Sequence, residues 1–335
     1  MTVGVGVIGV GMIGQDHIRR LTRVLSGVDV VAVSDVDTAR AEGVAAGLPG
    51  ARVFPTGEEL VAAGTVDAVV VCSWGETHEQ YVLAALAAGK PVFCEKPLAT
   101  TTEACLRILE AESAVGRRLV QVGYMRRYDA AYRALREVVH SGDIGLPLLM
   151  HCTHRNPSVP GYYQKESAIT DTAVHEIDMV RWLFEEEIAA TRVLVPRRSR
   201  KGGELQDPLV LLLEMASGLL VDVEISVNIR YGYDIRGEVV GEDGTASLGE
   251  PSPVRVRRAG LAADRVPADW RERFVRAYDV ELQEWADAVA GDGAFGPSSW
   301  DGYAAAAVSD AALEALRTGE RVPVALAAQP DLYGK

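Results

Sequence analysis

Short apolar runs alternate with helix-like segments over the first 122 residues of the chain. The apolar runs, rich in valine, resemble strands buried on both faces, and they span residues 3–10, 28–34, 67–72, 91–94 and 119–122. The segments with helical spacing span residues 12–25, 39–48, 76–88 and 102–115. Strands that alternate with helices predict parallel βαβ units. We therefore expect residues 1–122 to form an α/β Rossmann domain with a doubly wound parallel sheet.

The pattern changes after residue 123. Helices are predicted at residues 129–140, 171–184, 271–290 and 300–317. Strand-like runs follow one another at residues 191–195, 209–215, 219–228, 235–240 and 245–248. The sequence GEDG at residues 241–244 predicts a hairpin turn. Consecutive strands without helices between them favour an antiparallel sheet, so residues 123–335 are predicted to form an α+β domain on an open, mostly antiparallel sheet.

Composition narrows the class of protein. A chain of 335 residues exceeds the size at which one core keeps growing, which favours two domains. Its net charge of -13 disfavours nucleic acid and anionic membranes as partners. The apolar N-terminal run is interrupted by glycines and reads as a buried strand, not as a signal peptide. The four cysteines form no C-x-x-C pair, which is typical of reduced thiols in a cytoplasmic protein.

The first predicted strand leads into a glycine-rich turn, GVGMIG at residues 9–14. A G-x-G-x-x-G between a strand and a helix is typical of dinucleotide binding, because its amides and the helix dipole hold a pyrophosphate. The candidate cofactor contacts here are Gly9, Gly11, Met12, Ile13 and Gly14.

An acidic residue closes the second predicted strand. Asp35 lies where a carboxylate binds the ribose hydroxyls, which favours NAD over NADP, although Arg40 lies nearby. The alternative is a glycine-rich turn with an incidental aspartate. We interpret the agreement of strand, glycines, helix and acid as an NAD site.

Two further segments carry candidate chemistry. Lys96 follows the strand at residues 91–94, at the sheet edge where ligands bind, and it is either a catalytic cation or a surface lysine solvated by Glu95. Asp171 and His175 lie four residues apart on a predicted helix and can meet on one face. A histidine aligned by a carboxylate suits proton removal from a hydroxyl. The alternative is a helix-terminal acid followed by a structural histidine.

The stretch HCTHRNP at residues 151–157 superficially suggests a metal site. On a strand, however, His151 and His154 point to opposite faces, so we expect no metal there. His154 and Asn156 share a face and could line a polar pocket. By the same alternation, Tyr231 and Tyr233 are predicted to share a strand face.

Taken together, these motifs resemble the Gfo/Idh/MocA oxidoreductase family, and specifically its inositol-oxidising branch. The resemblance covers nearly the whole chain. The matching segments are GVGMIGQDHIRRL, CSWGETHEQ, VFCEKPLATT, VGYMRRYDAAY, HCTHRNP, DTAVHEIDMVRWL and YGYDI.

The resemblance implies a function and a set of site residues. It implies a catalytic triad of Lys96, Asp171 and His175 that oxidises a ring hydroxyl of a cyclic polyol, with myo-inositol foremost and NAD as the cofactor. Another inositol, an inosamine or glucose are alternatives, as is a non-catalytic dinucleotide sensor. The implied positions around the nicotinamide are Ser73, Trp74, His78, Glu95 and Lys96. The implied substrate positions are Met125, Arg126, His154, Asn156, Asp171, His175 and Tyr233. The resemblance also implies a homo-oligomer, commonly a tetramer, assembled through the second domain's sheet.

Overall fold

The computed structural model describes residues 2–249, 254–291 and 295–334. All residues proposed above for the cofactor, substrate and catalytic sites fall within these ranges. The chain divides into two compact units. No helix in the described ranges is both long enough and apolar enough to cross a membrane.

The first unit contains a six-stranded sheet in which all neighbouring strands run parallel. Its strands are β1 (Val3–Ile8), β2 (Val28–Ser34), β3 (Arg52–Val53), β4 (Ala68–Val71), β5 (Val92–Glu95) and β6 (Val120–Gly123). Its connecting helices are α1 (Met12–Arg23), α2 (Thr38–Ala45), α3 (Gly57–Ala62), α4 (His78–Ala87) and α5 (Thr102–Val115). The strand order β3-β2-β1-β4-β5-β6 confirms the predicted doubly wound sheet.

Local sequence signals explain where these elements begin and end. The side chain of Thr101 accepts a hydrogen bond from the amide of Ala104 at the start of α5, and Gly116 ends the helix with a left-handed φ of 75°. The predicted bounds of β2 and α5 agree with the structure. The sequence interpretation missed β3 and α3, because two and six residues are too few to show a period.

The second unit is built on a seven-stranded sheet. Its strands are β7 (Pro147–Arg155), β8 (Ile188–Leu194), β9 (Leu209–Met215), β10 (Leu220–Ser226), β11 (Asp234–Gly241), β12 (Thr245–Ser247) and β15 (Val322–Pro323). Their order is β12-β11-β7-β10-β9-β8-β15, and the β7–β10 pair is the parallel one. A separate ribbon pairs β13 (Arg255–Arg258) with β14 (Leu261–Asp264). The mostly antiparallel sheet confirms the prediction, and the predicted turn closes where the Gly241 amide donates to the Gly244 carbonyl.

The remaining helices are α6 (Ala130–Ser141), α7 (Val174–Phe184), α8 (Trp270–Ala290) and α9 (Ser299–Thr318). The boundary between the two units is not a single division of the chain after residue 122, because parts of α8 and α9 belong to the first unit. The first unit comprises the chain up to Tyr124, Tyr278–Ala306 and the segment from Leu326 onward. The cause is packing: Trp285 in α8 is fully buried in the core of the parallel sheet, with its ring centroid 6.0 Å from that of Phe93.

Candidate active site

The glycine-rich turn has the geometry that a dinucleotide requires. Gly9 has φ 87°, and a Cβ there would lie 2.4 Å from the amide nitrogen of Ser73. A Cβ on Gly14 would lie 2.0 Å from the carbonyl oxygen of Gly9, so the third glycine lets α1 pack against the turn. A Cβ on Gly11 would meet no atom within 4 Å, so the space beside this glycine is open to an anion. The three glycines therefore fit a bound pyrophosphate at the N-terminus of α1.

Asp35 is tied to the same turn. One carboxylate oxygen accepts a hydrogen bond from the Val10 amide at 2.8 Å, and the other accepts one from the Asp37 amide at 2.9 Å. These bonds fix the acid beside the glycines, where it can also accept from ribose hydroxyls. Nη1 of Arg40 lies 3.5 Å from Oδ1 of Asp35, and its Nη2 lies 3.1 Å from Oδ2 of Asp37. Because Asp35 and Asp37 already pair with its guanidinium, Arg40 is less available to bind the 2′-phosphate of NADP. This arrangement supports NAD as the cofactor.

Glu95 and Lys96 lie at the end of β5. Glu95 is buried, and one of its oxygens lies 2.7 Å from Nε2 of the fully buried His17, while the other accepts a hydrogen bond from the Lys96 amide at 3.2 Å. Burial alone would raise the pKa of Glu95, but its contacts with His17 and Lys96 together outweigh burial and hold that pKa below its ordinary value. Glu95 thus anchors the backbone that carries Lys96.

The segment after β4 was predicted to surround the nicotinamide. Trp74 is 83% exposed there, and the Ser73 hydroxyl lies 2.7 Å from that of Thr77. His78 is buried, with ring nitrogens 2.6 Å from the carbonyl oxygen of Pro97 and 3.0 Å from that of Ser73. Burial lowers the pKa of His78. His78 therefore connects two backbone segments, and its role at a cofactor would be indirect, whereas Ser73 and Trp74 remain predicted contacts.

In the second unit, Asp171 lies just before α7 and His175 lies in its first turn. The predicted helix from residue 171 is wrong in one respect, because a π-helical turn, Ala168–Ala173, precedes the α-helix. Wide turns of this kind are frequent at functional sites. Asp171 is exposed within it, and His175 is half-buried in the first α-helical turn. Their pairing remains a prediction.

Three of the predicted substrate residues meet in a buried polar network. A carboxylate oxygen of Glu176 accepts a hydrogen bond from Arg126, and the other lies 3.0 Å from Nδ1 of His154. Nε2 of His154 lies 3.4 Å from the hydroxyl of Tyr233. The His154 ring is 6.4 Å from that of His175, measured between centroids. All members except His175 are buried, and a charged pair sealed in this way is costly unless its hydrogen bonds are satisfied.

Met125 and Asn156 flank this network in sequence. Met125 is buried at the start of a 3₁₀ turn that also carries Arg126. Asn156 directly follows β7, and its backbone amide donates to the carbonyl of Ser226 at the end of β10. Neither position contradicts a role in the pocket. Both remain predicted contacts.

Strand alternation places the two histidines of β7 as expected. His151 is exposed and pairs with Asp222, whereas His154 is buried on the other face. Within the described ranges, no three His, Cys, Asp or Glu side chains form a group suited to a metal ion.

The prediction that Tyr231 and Tyr233 share a strand face is wrong. Both residues precede β11, and Gly232 between them has φ 153°. Tyr231 is half-exposed and donates to Asp234, whereas Tyr233 is buried against His154. The glycine breaks the extended geometry that alternation assumes.

Two residues of functional interest were missed by sequence reasoning. His17 lies on the buried face of α1 with Gly14, Ile18 and Leu21, and a histidine on such a face requires a buried partner. That pattern could have identified it. Glu176 follows His175 directly, and nothing local distinguishes it from a surface acid, because its partners lie about 20 to 50 residues away.

Comparison with known proteins agrees with this geometry. The family model described as "Oxidoreductase family, NAD-binding Rossmann fold" matches residues 3–124, and the model of its C-terminal alpha/beta domain matches residues 136–326. The chain is 57% identical to inositol 2-dehydrogenase 3 of Saccharopolyspora erythraea, over 100% of this chain and 99% of that protein. It is 52% identical to inositol 2-dehydrogenase of Pseudomonas syringae, over 99% and 100%.

A solved structure is similar over the whole chain. The crystal structure of myo-inositol dehydrogenase from Lactobacillus casei, in complex with NAD(H) and myo-inositol, has a TM-score of 0.96 and 41% identity. The match covers 99% of this chain and 100% of that one. Together with the glycine turn and Asp35, these matches show that the chain belongs to the Gfo/Idh/MocA family of NAD-binding oxidoreductases.

Proposed function

We propose that this enzyme oxidises one ring hydroxyl of myo-inositol to the ketone scyllo-inosose, with hydride transfer to NAD+. The observation that carries this proposal is the end-to-end similarity to relatives named inositol 2-dehydrogenase, at 52–57% identity. The similar structure with bound NAD(H) and myo-inositol supports the same substrate.

Each of the proposed catalytic residues has one task. His175 accepts the proton of the reacting hydroxyl, Asp171 orients and stabilises the resulting imidazolium, and Lys96 donates a hydrogen bond to the reacting oxygen. When bound, NAD+ accepts the hydride from carbon. General base catalysis of this kind contributes on the order of 10² to 10⁴ in rate.

The polar network of the second unit suits a neutral polyhydroxylated ring. Arg126, His154 and Tyr233 offer donors and acceptors on rigid elements, with the guanidinium charge balanced by Glu176. Nε of Arg126 is buried and has no hydrogen-bond partner among the described residues, so a ligand hydroxyl or a water molecule would satisfy it. A site built to hydrogen-bond hydroxyls rejects analogues that lack them.

A substrate panel tests the proposal. The purified enzyme is supplied with myo-, scyllo- and chiro-inositol, an inosamine and glucose, and NADH or NADPH formation is followed by absorbance. We expect the highest kcat/KM with myo-inositol and NAD+. A higher value for another ring would reassign the substrate, and no reduction with any polyol would favour a dinucleotide sensor.

We also propose that the enzyme works as a cytoplasmic homotetramer assembled through the seven-stranded sheet. Alternate residues of β9 are buried on one face, whereas the opposite face keeps Val210 and Leu212 partly exposed. Leu220 on neighbouring β10 is exposed on that same face. Partly exposed apolar strands are typical of interfaces. Four buried, unbridged cysteines suit a reducing compartment.

A further inference from the structure

The buried contact between Glu176 and His154 has a consequence for substrate recognition. We propose that Glu176 is a positioning residue that fixes the His154 proton on Nδ1, so that Nε2 accepts a hydrogen bond from a substrate hydroxyl. This inference rests on the proposed polyol dehydrogenase function. It concerns the hydrogen-bonding direction of one ring nitrogen, which sequence similarity does not reveal.

Two groups compete for Nδ1 of His154. Oε2 of Glu176 lies 3.0 Å away and can only accept, whereas Nη2 of Arg126 lies 3.1 Å away and can only donate. A protonated Nδ1 satisfies Glu176, and a bare Nδ1 satisfies Arg126. Nδ1 cannot form both hydrogen bonds at once. The position of the proton therefore depends on whether the lost hydrogen bond costs more free energy at Glu176 or at Arg126.

The carboxylate would lose more. Its Oε1 is bonded to Arg126, and the hydrogen-bond partner of Oε2 is Nδ1 of His154, so a bare Nδ1 would leave a buried anionic oxygen facing a lone pair. Arg126 has other acceptors: its Nη1 also lies 3.4 Å from the Tyr132 hydroxyl, and Glu176 already balances its charge. Both groups are buried and charged, but Arg126 keeps its ion pair with Glu176 in either tautomer, whereas a bare Nδ1 leaves Oε2 of Glu176 against a lone pair at 3.0 Å.

A doubly protonated His154 is also disfavoured. Arg126 and His154 would then place two positive charges against the single carboxylate of Glu176, in a site where all three side chains are at most 3% exposed. Buried uncompensated charge is strongly unfavourable. The neutral ring with its proton on Nδ1 satisfies the carboxylate without adding charge.

This tautomer determines what Nε2 can bind. Burial raises the pKa of Tyr233 to about 12, so its hydroxyl keeps a proton and can donate to Nε2 across 3.4 Å. That contact is long for an O–H donor, whose usual distance is about 2.8 Å. A substrate hydroxyl that donates at the normal distance would bind Nε2 in its place or beside it.

Nitrogen NMR reads the tautomer directly. In ¹⁵N-histidine-labelled full-length enzyme without substrate, His154→Gln identifies the His154 signals among those of the six histidines. We expect a protonated Nδ1 and a bare Nε2 at neutral pH. A proton on Nε2, or on both nitrogens, would overturn the proposal, and this measurement is independent of whether any polyol is oxidised.

The variant Glu176→Gln tests the cause. The amide oxygen would accept from Arg126 and the amide NH₂ would face Nδ1, so the proton should move to Nε2. Glu137→Gln is the matched control, because Glu137 is exposed on α6 of the same unit. An unmoved proton in Glu176→Gln would overturn the proposal. If this variant does not fold, the wild-type spectrum and the wild-type kinetics below still decide.

Kinetics with substrate analogues provide the functional measurement. A monodeoxyfluoro-inositol replaces one hydroxyl by a group that cannot donate, so for the ring position facing His154 we expect wild-type kcat/KM to fall by roughly 5- to 150-fold. In Glu176→Gln, Nε2 of His154 is expected to donate. The fall in kcat/KM from myo-inositol to the same analogue should therefore be roughly tenfold smaller than in the wild type. Equal losses in both enzymes would indicate a structural role only and overturn the proposal. A wild-type enzyme that oxidises no polyol would refute the proposed function and leave the NMR result standing.

Discussion

Replacing Gly14 with alanine should destabilise the first unit and weaken NAD+ binding. An ideal Cβ at this position lies 2.0 Å from the carbonyl oxygen of Gly9, whereas ordinary van der Waals contact begins at 3.4 Å. The carbonyl belongs to the backbone of the turn and cannot rotate away as a side chain can. Helix α1 would therefore have to move outward by about an ångström or more.

The size of both effects follows from this displacement. Forcing a methyl group into a packed interior costs about 1–3 kcal/mol. Each kcal/mol lowers the Tm of a domain of this size class by about 2–4 °C. The movement also carries the amides at the start of α1 away from the pyrophosphate, and misplacement by about 1 Å can cost on the order of 100-fold. We expect KM for NAD+ to rise by about one to two orders of magnitude.

Gly11→Ala is the matched control. Its Cβ meets no atom within 4 Å, and the backbone at φ -69° and ψ -159° suits alanine. As the N-cap of α1, this position should lose about 1 kcal/mol or less. The methyl group would nevertheless occupy the space through which the pyrophosphate approaches. Thermal denaturation with and without saturating NAD+, together with KM for NAD+, separates the two variants.

We expect Gly14→Ala to lower the Tm of the free enzyme, and Gly11→Ala to change mainly the stabilisation by NAD+. A Gly14→Ala enzyme with wild-type Tm would refute the packing argument. Wild-type NAD+ affinity in Gly11→Ala would show that the open space at this glycine is not the pyrophosphate site.

Three further predictions concern other parts of the molecule. His175→Ala should lower kcat by about 10² to 10⁴ with NAD+ binding unchanged, and an unaltered kcat in stopped-flow assays would remove His175 from the mechanism. Because the folded state holds the pKa of Glu95 below its ordinary value of 4.5, its stabilising contribution is present above pH 4.5 and is lost as the pH falls through the lowered value. The Tm of the wild type should therefore fall more steeply below pH 4.5 than that of Glu95→Gln, and parallel curves would contradict the pairing with His17. Leu212→Glu should lower the molar mass measured by light scattering, because it places a charge on the partly exposed sheet face proposed as the interface. An unchanged mass would argue against that interface.

The sequence pattern was sufficient to predict those elements whose structure is determined by neighbouring residues. Helix α5 was predicted to the residue, because Thr101 and Gly116 mark its ends and its apolar spacing is regular. The glycines of the first turn were also readable, since each is required by backbone geometry within a few residues. These features depend on short-range sterics and hydrogen bonds, which can be predicted from neighbouring residues in the sequence.

Long-range packing settled the rest. The return of Trp285 to the parallel sheet joins residues nearly 200 positions apart, and no local period signals it. Glu176 looks like an ordinary helix acid until the fold brings it against Arg126 and His154. Burial and charge pairing are properties of the assembled unit, because they depend on which side chains exclude water from one another. The residue pattern thus predicted the cofactor turn and the candidate catalytic groups, whereas three-dimensional packing decided that Glu95 anchors the backbone at Lys96 and that Glu176 contacts Arg126 and His154.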